Sequence, residues 1–399
     1  MKKGNGVRYN KRKNERGNIM NGKPENALKD RKFIIDEGRE SVFLTRNGIF
    51  QDGTTPTFRD KDGKLWAISG HSHAGHISVF SGTNISTLKE LYVAETNFKV
   101  GAAGEAFDGV RYPDGFLSRG SVWPFGLFIC PVTHRFFAFF HNETGWAGHG
   151  TAYDSRGLCE TPYLDSDFRH IGLMHSDDEG RTWDFDRWVL AGENVGFTEK
   201  YNPNGDVAIG QKYGVVDLGS GDFSIYVDDE FIYIFYDKIK VNMLEGCTDD
   251  IDVYVARSRR RSDGIVGDFV KFYDGAFCEA GLFGKETPIV KSLWHAKVVK
   301  LKDFGVYMMS GSPFKPKGVY RPNDGSGIID RSVQVRTSTD LVNWSDPMTV
   351  TKNGEKFGAH YCAFYPDNDT DNFDISGNKF VVQLNGNGTD VIAHKVEID

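Results

Sequence analysis

Apolar and polar residues alternate along the chain in short runs. The runs come in pairs joined by polar turns, which is the period of strands, not helices. Thr54 to Arg59 and Leu65 to Ser69 flank Asp60-Lys61-Asp62-Gly63. Val122 to Ile129 and Phe136 to His141 flank Pro131-Val132-Thr133-His134. Phe223 to Val227 pairs with Phe231 to Tyr236, and His295 to Leu301 with Val306 to Ser310. Tyr361 to Tyr365 and Lys379 to Leu384 form the fifth pair. Each pair is followed by a further strand: His76 to Phe80, Ile171 to His175, Asp252 to Ala256, Ser332 to Arg336 and Val391 to Val396.

The residues preceding the five first strands are Gly53, Ser121, Asp222, Trp294 and His360, spaced by 68, 101, 72 and 66 residues. A repeat of three or four short strands at about this spacing predicts an all-β, five-bladed β-propeller with four-stranded antiparallel blades. Two stacked β-sandwiches are the competing arrangement. The longer second unit has room for an insertion around Gly145 to Arg169. The last unit shows three strands, and Ser41 to Thr45 is expected to supply its fourth and close the ring. The domain division is then 1–32, an N-terminal tail that is loose or straps a neighbouring copy, and 33–399, the propeller.

Composition narrows the function. Aromatics at 13% and 46 glycines fit strands and tight turns. A net charge of -7 with interspersed signs argues against polyanionic partners such as nucleic acid. The basic cluster Arg257 to Arg261 reads as a solvated loop. No apolar run reaches membrane-spanning length. No apolar segment follows the basic start, so the chain as written reads as cytoplasmic, or as secreted if a leader once preceded it. Five scattered cysteines without C-x-x-C spacing exclude a zinc ribbon and read as buried free thiols.

Two turns carry recognisable patterns. Ser176-x-Asp178-x-Gly180-x-Thr182-Trp183 resembles the Asp-box of sialidases, a clip on the outside of a blade, so Asp178 reads as structural. Ser338-Thr339-Asp340-Leu341-Val342-Asn343-Trp344 is similar to a turn of arabinanase, xylosidase and invertase propellers. Asp52-Gly53-Thr54-Thr55-Pro56 resembles that superfamily's first-blade Asp motif. Gly221 to Asp229 resembles its D-P-S-V-F-x-D-D segment, and Lys285-Glu286-Thr287-Pro288-Ile289 its E-x-P acid motif. Glu286 departs from the pattern by lying well before the strand at His295. The resemblance covers about Arg46 to Asp399. It implies a five-bladed glycoside hydrolase with an inverting two-carboxylate mechanism. No cofactor is required, and the resemblance admits a calcium ion on the channel axis, as in similar arabinanases.

Blade geometry gives an independent test. First strands run down the channel and second strands return, so first-strand starts and second-strand ends share one face. Polar residues gather at these positions, although a buried unpaired charge costs several kcal/mol. Glycoside hydrolysis needs a proton donor for the leaving oxygen and a carboxylate that activates water or attacks. Asp52 is expected as general base and Glu286 as general acid, with Glu143 second in line. Asp222 is expected to raise the acid's proton affinity and hold sugar hydroxyls. His71, His73, Arg119, His141, Trp294, His295, His360 and Tyr361 are the expected substrate contacts, with the aromatics as sugar platforms. Trp123 and Trp146 read as core before platform. The bland readings stand beside these: Asp52 as a turn residue, Asp222 as a loop cap, Glu286 and Glu143 as surface carboxylates. His71 and His73 point the same way, but zinc needs one or two more ligands, so no metal is assigned. The expected partner is a poly- or oligosaccharide, with homo-oligomerisation through the tail. A sialidase, a glycoside phosphorylase and a non-catalytic glycan-binding propeller are the alternatives.

Overall fold

The computed structural model describes residues 23–41, 53–70, 76–98, 108–113, 121–143, 169–193, 215–242, 247–261, 263–314, 330–385 and 391–399. These residues form five antiparallel blades. Blade I consists of Thr57–Arg59, Leu65–Ser69, His76–Gly82 and Lys89–Thr96. Blade II consists of Trp123–Ile129, Phe136–Glu143, Arg169–Ser176 and Thr182–Ala191. Blade III runs Gly221–Val227, Phe231–Asn242, Cys247–Arg259 and Val270–Tyr273, with Ala276–Ala280 on its outer edge. Blade IV is Leu293–Leu301, Val306–Pro313, Gln334–Ser338 and Met348–Thr349. Blade V is Tyr361–Pro366, Lys379–Asn385 and Val391–Ile398.

The ring closes with a strand from the other end of the sequence. Phe33–Ile35 pairs antiparallel with the last strand, Phe33 opposite Ile398, and Arg39–Glu40 extends the pairing to Ala393 and Ile392. The closing pairs thus begin earlier than the expected Ser41 to Thr45, of which Ser41 donates its N–H to the Val391 carbonyl at 2.8 Å and 42–45 lie outside the described residues. The apolar Phe33 drives this choice, since it packs with Phe364 and Phe380. Of the expected tail, 1–32, residues 1–22 lie outside the described residues and 23–32 pack on the propeller. Leu28 is fully buried among blades IV and V, and the Asn26 amide donates to the carbonyls of Val335 and Asp346. From Lys23 onward the segment straps blade IV of its own chain.

Blades stack face to face through apolar side chains, each worth about 1.5–3 kcal/mol when fully buried. Leu65, Ala67 and Phe80 of blade I meet Ala363, Tyr365 and Val381 of blade V, so first and last blades touch. At one end of the axis, Phe58, Phe128, Tyr226 and Phe373 pack ring against ring at 5.4–6.0 Å. The opposite end carries the polar first-strand starts.

The patterned turns are held by local hydrogen bonds. Ser176 Oγ accepts the amides of Asp178 and Gly180. The Asp178 carboxylate accepts those of Arg181 and Thr182 as well as the Thr182 hydroxyl. Gly180 takes φ 87°, and Trp183 is fully buried beneath. Asp340 makes the equivalent bonds to the amides of Val342 and Asn343 above Trp344. The basic cluster is split: Arg257 lies over Phe231 and Phe277 and Arg260 donates to the Asp228 carbonyl, whereas Arg259 and Arg261 are exposed. Of the described cysteines, Cys130 and Cys362 are buried and free, whereas Cys278 is exposed.

Candidate active site

The first strands of blades II, III and IV each carry a β-bulge near the channel mouth. Phe125 bulges out between Pro124 and Gly126, Asp222 with Phe223 between Gly221 and Ser224, and His295 with Ala296 between Trp294 and Lys297. A bulge re-aims a side chain that strand pairing would send into the sheet. Asp222 and His295 pay for this with positive φ, 39° and 57°. Gly219 and Gly221 let the chain reach this point. Gly219 takes φ 86°, and a Cβ on Gly221 would lie 2.5 Å from the His141 ring and 2.6 Å from the Arg169 side chain.

Second-strand ends clasp the next blade's first strand around four joints of the ring. The Asp222 amide donates to His141 Nδ1 at 3.1 Å, joining blade II to blade III. The His295 amide donates to Asp237 Oδ2 at 2.6 Å, joining III to IV. Ser312 Oγ donates to the His360 carbonyl at 2.8 Å, joining IV to V. Asn385 Nδ2 donates to the Gly53 carbonyl at 3.2 Å, joining V to I. Ring closure thus brings together residues far apart in the sequence.

The mouth is an aromatic and imidazole cluster around one carboxylate. Trp294 Nε1 donates to Asp222 Oδ2 at 3.0 Å. The Trp294 and His295 rings stack at 4.7 Å and 15°. His360 meets His295 edge-on at 4.7 Å, and Tyr361 lies 4.2 Å from His295 and 4.1 Å from His360. Asp222, His295, Phe125 and Gly53 line a cavity of about 10 Å3, the size of one water. Among the described residues His295 Nε2 and His360 Nδ1 have no hydrogen-bond partner.

Burial alone would raise the Asp222 carboxyl. The field of His295, His141 and Arg169 and the Trp294 N–H outweigh it and hold Asp222 well below the carboxylate range. Burial pushes His295 well below the ordinary imidazole value, while the Asp222 charge pulls it upward. His360 is pushed down to about 4 by burial, again opposed by Asp222. Asp237 goes the other way: burial and the neighbouring Asp222 charge raise its carboxyl well above the usual range.

Several expected site residues therefore meet. Asp222, His295, His360, Tyr361, Trp294 and His141 share the mouth. His141 spends one ring nitrogen on the Asp222 amide, so it positions the carboxylate instead of standing free for sugar. One face of Trp294 is covered by His295, which removes that face as a platform. Trp123 is core, 2% exposed, with its N–H on Ser121.

Glu286 does not fit the acid role. It is buried off the inner strands, where Tyr236 Oη donates to it at 2.5 Å and the ammonium groups of Lys238 and Lys271 lie 2.5 and 3.0 Å away. Burial opposes its charge, but the two lysines prevail and lower its pKa. Both of its oxygens are taken up by these three side chains, so neither is left to meet a glycosidic oxygen. Lys238 also pairs with Asp217 at 2.6 Å, which completes a buried network of two cations and two anions.

Asp52, His71, His73, Arg119 and Trp146 lie outside the described residues, as does the side chain of Glu143, whose backbone ends the second strand of blade II. Among the described residues no three His, Cys, Asp or Glu side chains group to hold a metal ion, and no helix is long and apolar enough to cross a membrane. Sequence reasoning missed Arg169 and the role of Asp237. Arg169 begins the third strand of blade II and is 2% exposed. It lies in what reads as an insertion, and Asp237 sits among the second-strand ends without a chemical signal of its own.

No protein-family model matches the sequence, and no curated protein matches it. Similar solved structures exist. One is a family 117 glycoside hydrolase from Zobellia galactanivorans, with 12% identity, TM-score 0.49, and coverage of 94% of this chain and 92% of that one. Another is a putative exo-β-1,3-galactanase from Bifidobacterium bifidum, with 15% identity, TM-score 0.48, and coverage of 91% and 94%. A third is the catalytic domain of a GH62 α-L-arabinofuranosidase from Coprinopsis cinerea, with 9% identity, TM-score 0.43, and coverage of 92% and 97%.

Proposed function

We propose that this chain is a glycoside hydrolase that cleaves a poly- or oligosaccharide at the axial mouth. The observation that carries the reading is the Asp222–His295 pair: an ionised carboxylate beside an imidazole, lining a water-sized cavity at the convergence of the first strands. His295 takes the proton-donor role in place of Glu286, acting through the protonated fraction that the Asp222 charge sustains against burial and that grows as pH falls. Asp222 raises the proton affinity of that imidazole and holds sugar hydroxyls. Asp52, next to the cavity-lining Gly53, is the base.

The chemistry balances with these groups. His295 gives its proton to the glycosidic oxygen as the bond from the anomeric carbon to that oxygen breaks. Water adds its oxygen to the anomeric carbon and gives its proton to Asp52. The inverting course implied by the resemblance places the two groups on opposite faces of the sugar. The test is a panel of oligosaccharides and aryl glycosides with reducing-sugar release and NMR of the first-formed anomer. Turnover with inverted product is expected from the wild type, and at least about 100-fold less from His295→Gln, the low end for a lost general acid. Binding of a panel member without turnover would replace the hydrolase reading with a glycan-binding one.

A further inference from the structure

His295 stands in a conformation its own strand does not favour. It takes φ 57°, and with Ala296 it occupies a bulge where two residues face the single Gly311. A left-handed conformation costs a non-glycine residue about 1–2 kcal/mol. The bulge is gripped from the adjacent blade at two points. Asp237 Oδ2 accepts the His295 N–H at 2.6 Å, and Ser224 Oγ donates to the Ala296 carbonyl at 2.6 Å. Asp237 pairs across the ladder with Gly221, the residue that precedes Asp222. One residue thus sits behind two of the three bulges of the mouth, those of blades III and IV.

We infer that Asp237 is the positioning residue of the proton donor: it locks the His295 bulge and so fixes the imidazole against Asp222. This rests on the hydrolase reading for its catalytic consequence, and on geometry alone for the lock. The residue is 1% exposed, and its Oδ1 has no hydrogen-bond partner among the described residues. A buried polar atom left unmatched costs about 1–3 kcal/mol, so stability does not explain a carboxyl here. Burial and the charge of Asp222 raise the Asp237 carboxyl well above the usual range, which favours its neutral form. Asp237 therefore supports His295 without adding a second negative charge to the mouth.

The test compares Asp237→Ala with Asp237→Asn in the full chain, below the melting temperature of each. A misplacement of about 1 Å costs roughly 100-fold in rate. Asp237→Ala is expected to lose about that factor in kcat with KM changed by less than about 3-fold, and the His295 imidazole NMR signals shift and broaden. Asp237→Asn keeps a carbonyl for the His295 N–H and is expected to recover about 10-fold of the loss, with His295 signals near those of the wild type. If Asp237→Ala does not fold, Asp237→Ser, too short to reach the amide, takes its place. Unmoved His295 signals in the alanine or serine variant overturn the lock, whatever the turnover. Moved signals with wild-type turnover overturn its catalytic consequence. A wild-type protein without glycosidase turnover removes the hydrolase reading, and the NMR comparison still judges the lock.

Discussion

Glu286→Gln separates two accounts of the same residue. As the general acid, Glu286 would lose about 10²–10⁴-fold in turnover when neutralised, with little change in stability. As the centre of a buried ion network, it would do the reverse. Its side chain is 3% exposed, and those of Lys238 and Lys271 are 6% and 0% exposed. Removing the anion leaves two buried ammonium groups with Asp217 as their one carboxylate partner among the described residues. Breaking a buried pair costs about 3–5 kcal/mol. Unfolding entropy of about 2.1 cal/mol/K per residue gives a chain of 399 residues roughly 0.8 kcal/mol/K, so Tm should fall by about 4–6 °C. The pH dependence follows from the lowered pKa. The stabilisation is present above the unfolded carboxyl's pKa and is lost as pH falls through the depressed folded value. The Tm gap between variant and wild type should accordingly narrow in acid. Differential scanning calorimetry from pH 7 downward and initial rates at 25 °C measure both effects. A Tm equal to wild type, together with turnover slowed by about two orders of magnitude or more, would refute the network account and restore Glu286 as the acid.

Other expectations follow from the same geometry. Lys297 is buried between blades IV and V, its ammonium 5.2 Å from the Tyr365 ring centre, and burial pushes its pKa down to about 8. The unfolded chain binds the extra proton between pH 8 and about 10.4, so stability should rise with pH across that window. Lys297→Met should raise Tm at pH 7 and raise it less at pH 10, as thermal melts will show. Asp178→Ala removes four acceptor bonds from an exposed turn. It should cost about 1–2 kcal/mol in urea denaturation and leave kcat/KM within about 2-fold of wild type. Burial depresses His295, so its protonated fraction grows as pH falls. The kcat/KM profile should therefore fall from weakly acid pH toward pH 8, and His295→Gln should abolish that limb; a rising limb would contradict the donor assignment.

The ring was legible in the sequence because paired apolar runs with polar turns recur, and because Gly180, Trp183 and Trp344 mark turns whose chemistry is local. Its closure was misplaced. Phe33–Ile35 is three residues long, too short to show a period, and its partner Val391–Ile398 lies at the far end of the chain. The mouth was located by counting first-strand starts and second-strand ends, which brought out Asp222, His295 and His360. Roles were harder to read. Glu286 sits in a plausible acid motif, and its three-residue captivity by Tyr236, Lys238 and Lys271 depends on tertiary packing. The clasp by Asp237 likewise depends on the rotation between two blades, which no local pattern encodes.

The central claim is that a sugar occupies the axial mouth with its scissile bond against His295. A crystal structure of Asp222→Asn soaked with an oligosaccharide that the wild type cleaves tests it most directly. A glycosidic oxygen within about 2.6–3.2 Å of a His295 ring nitrogen is predicted. An intact substrate bound productively elsewhere, with the mouth filled by water alone, would contradict it.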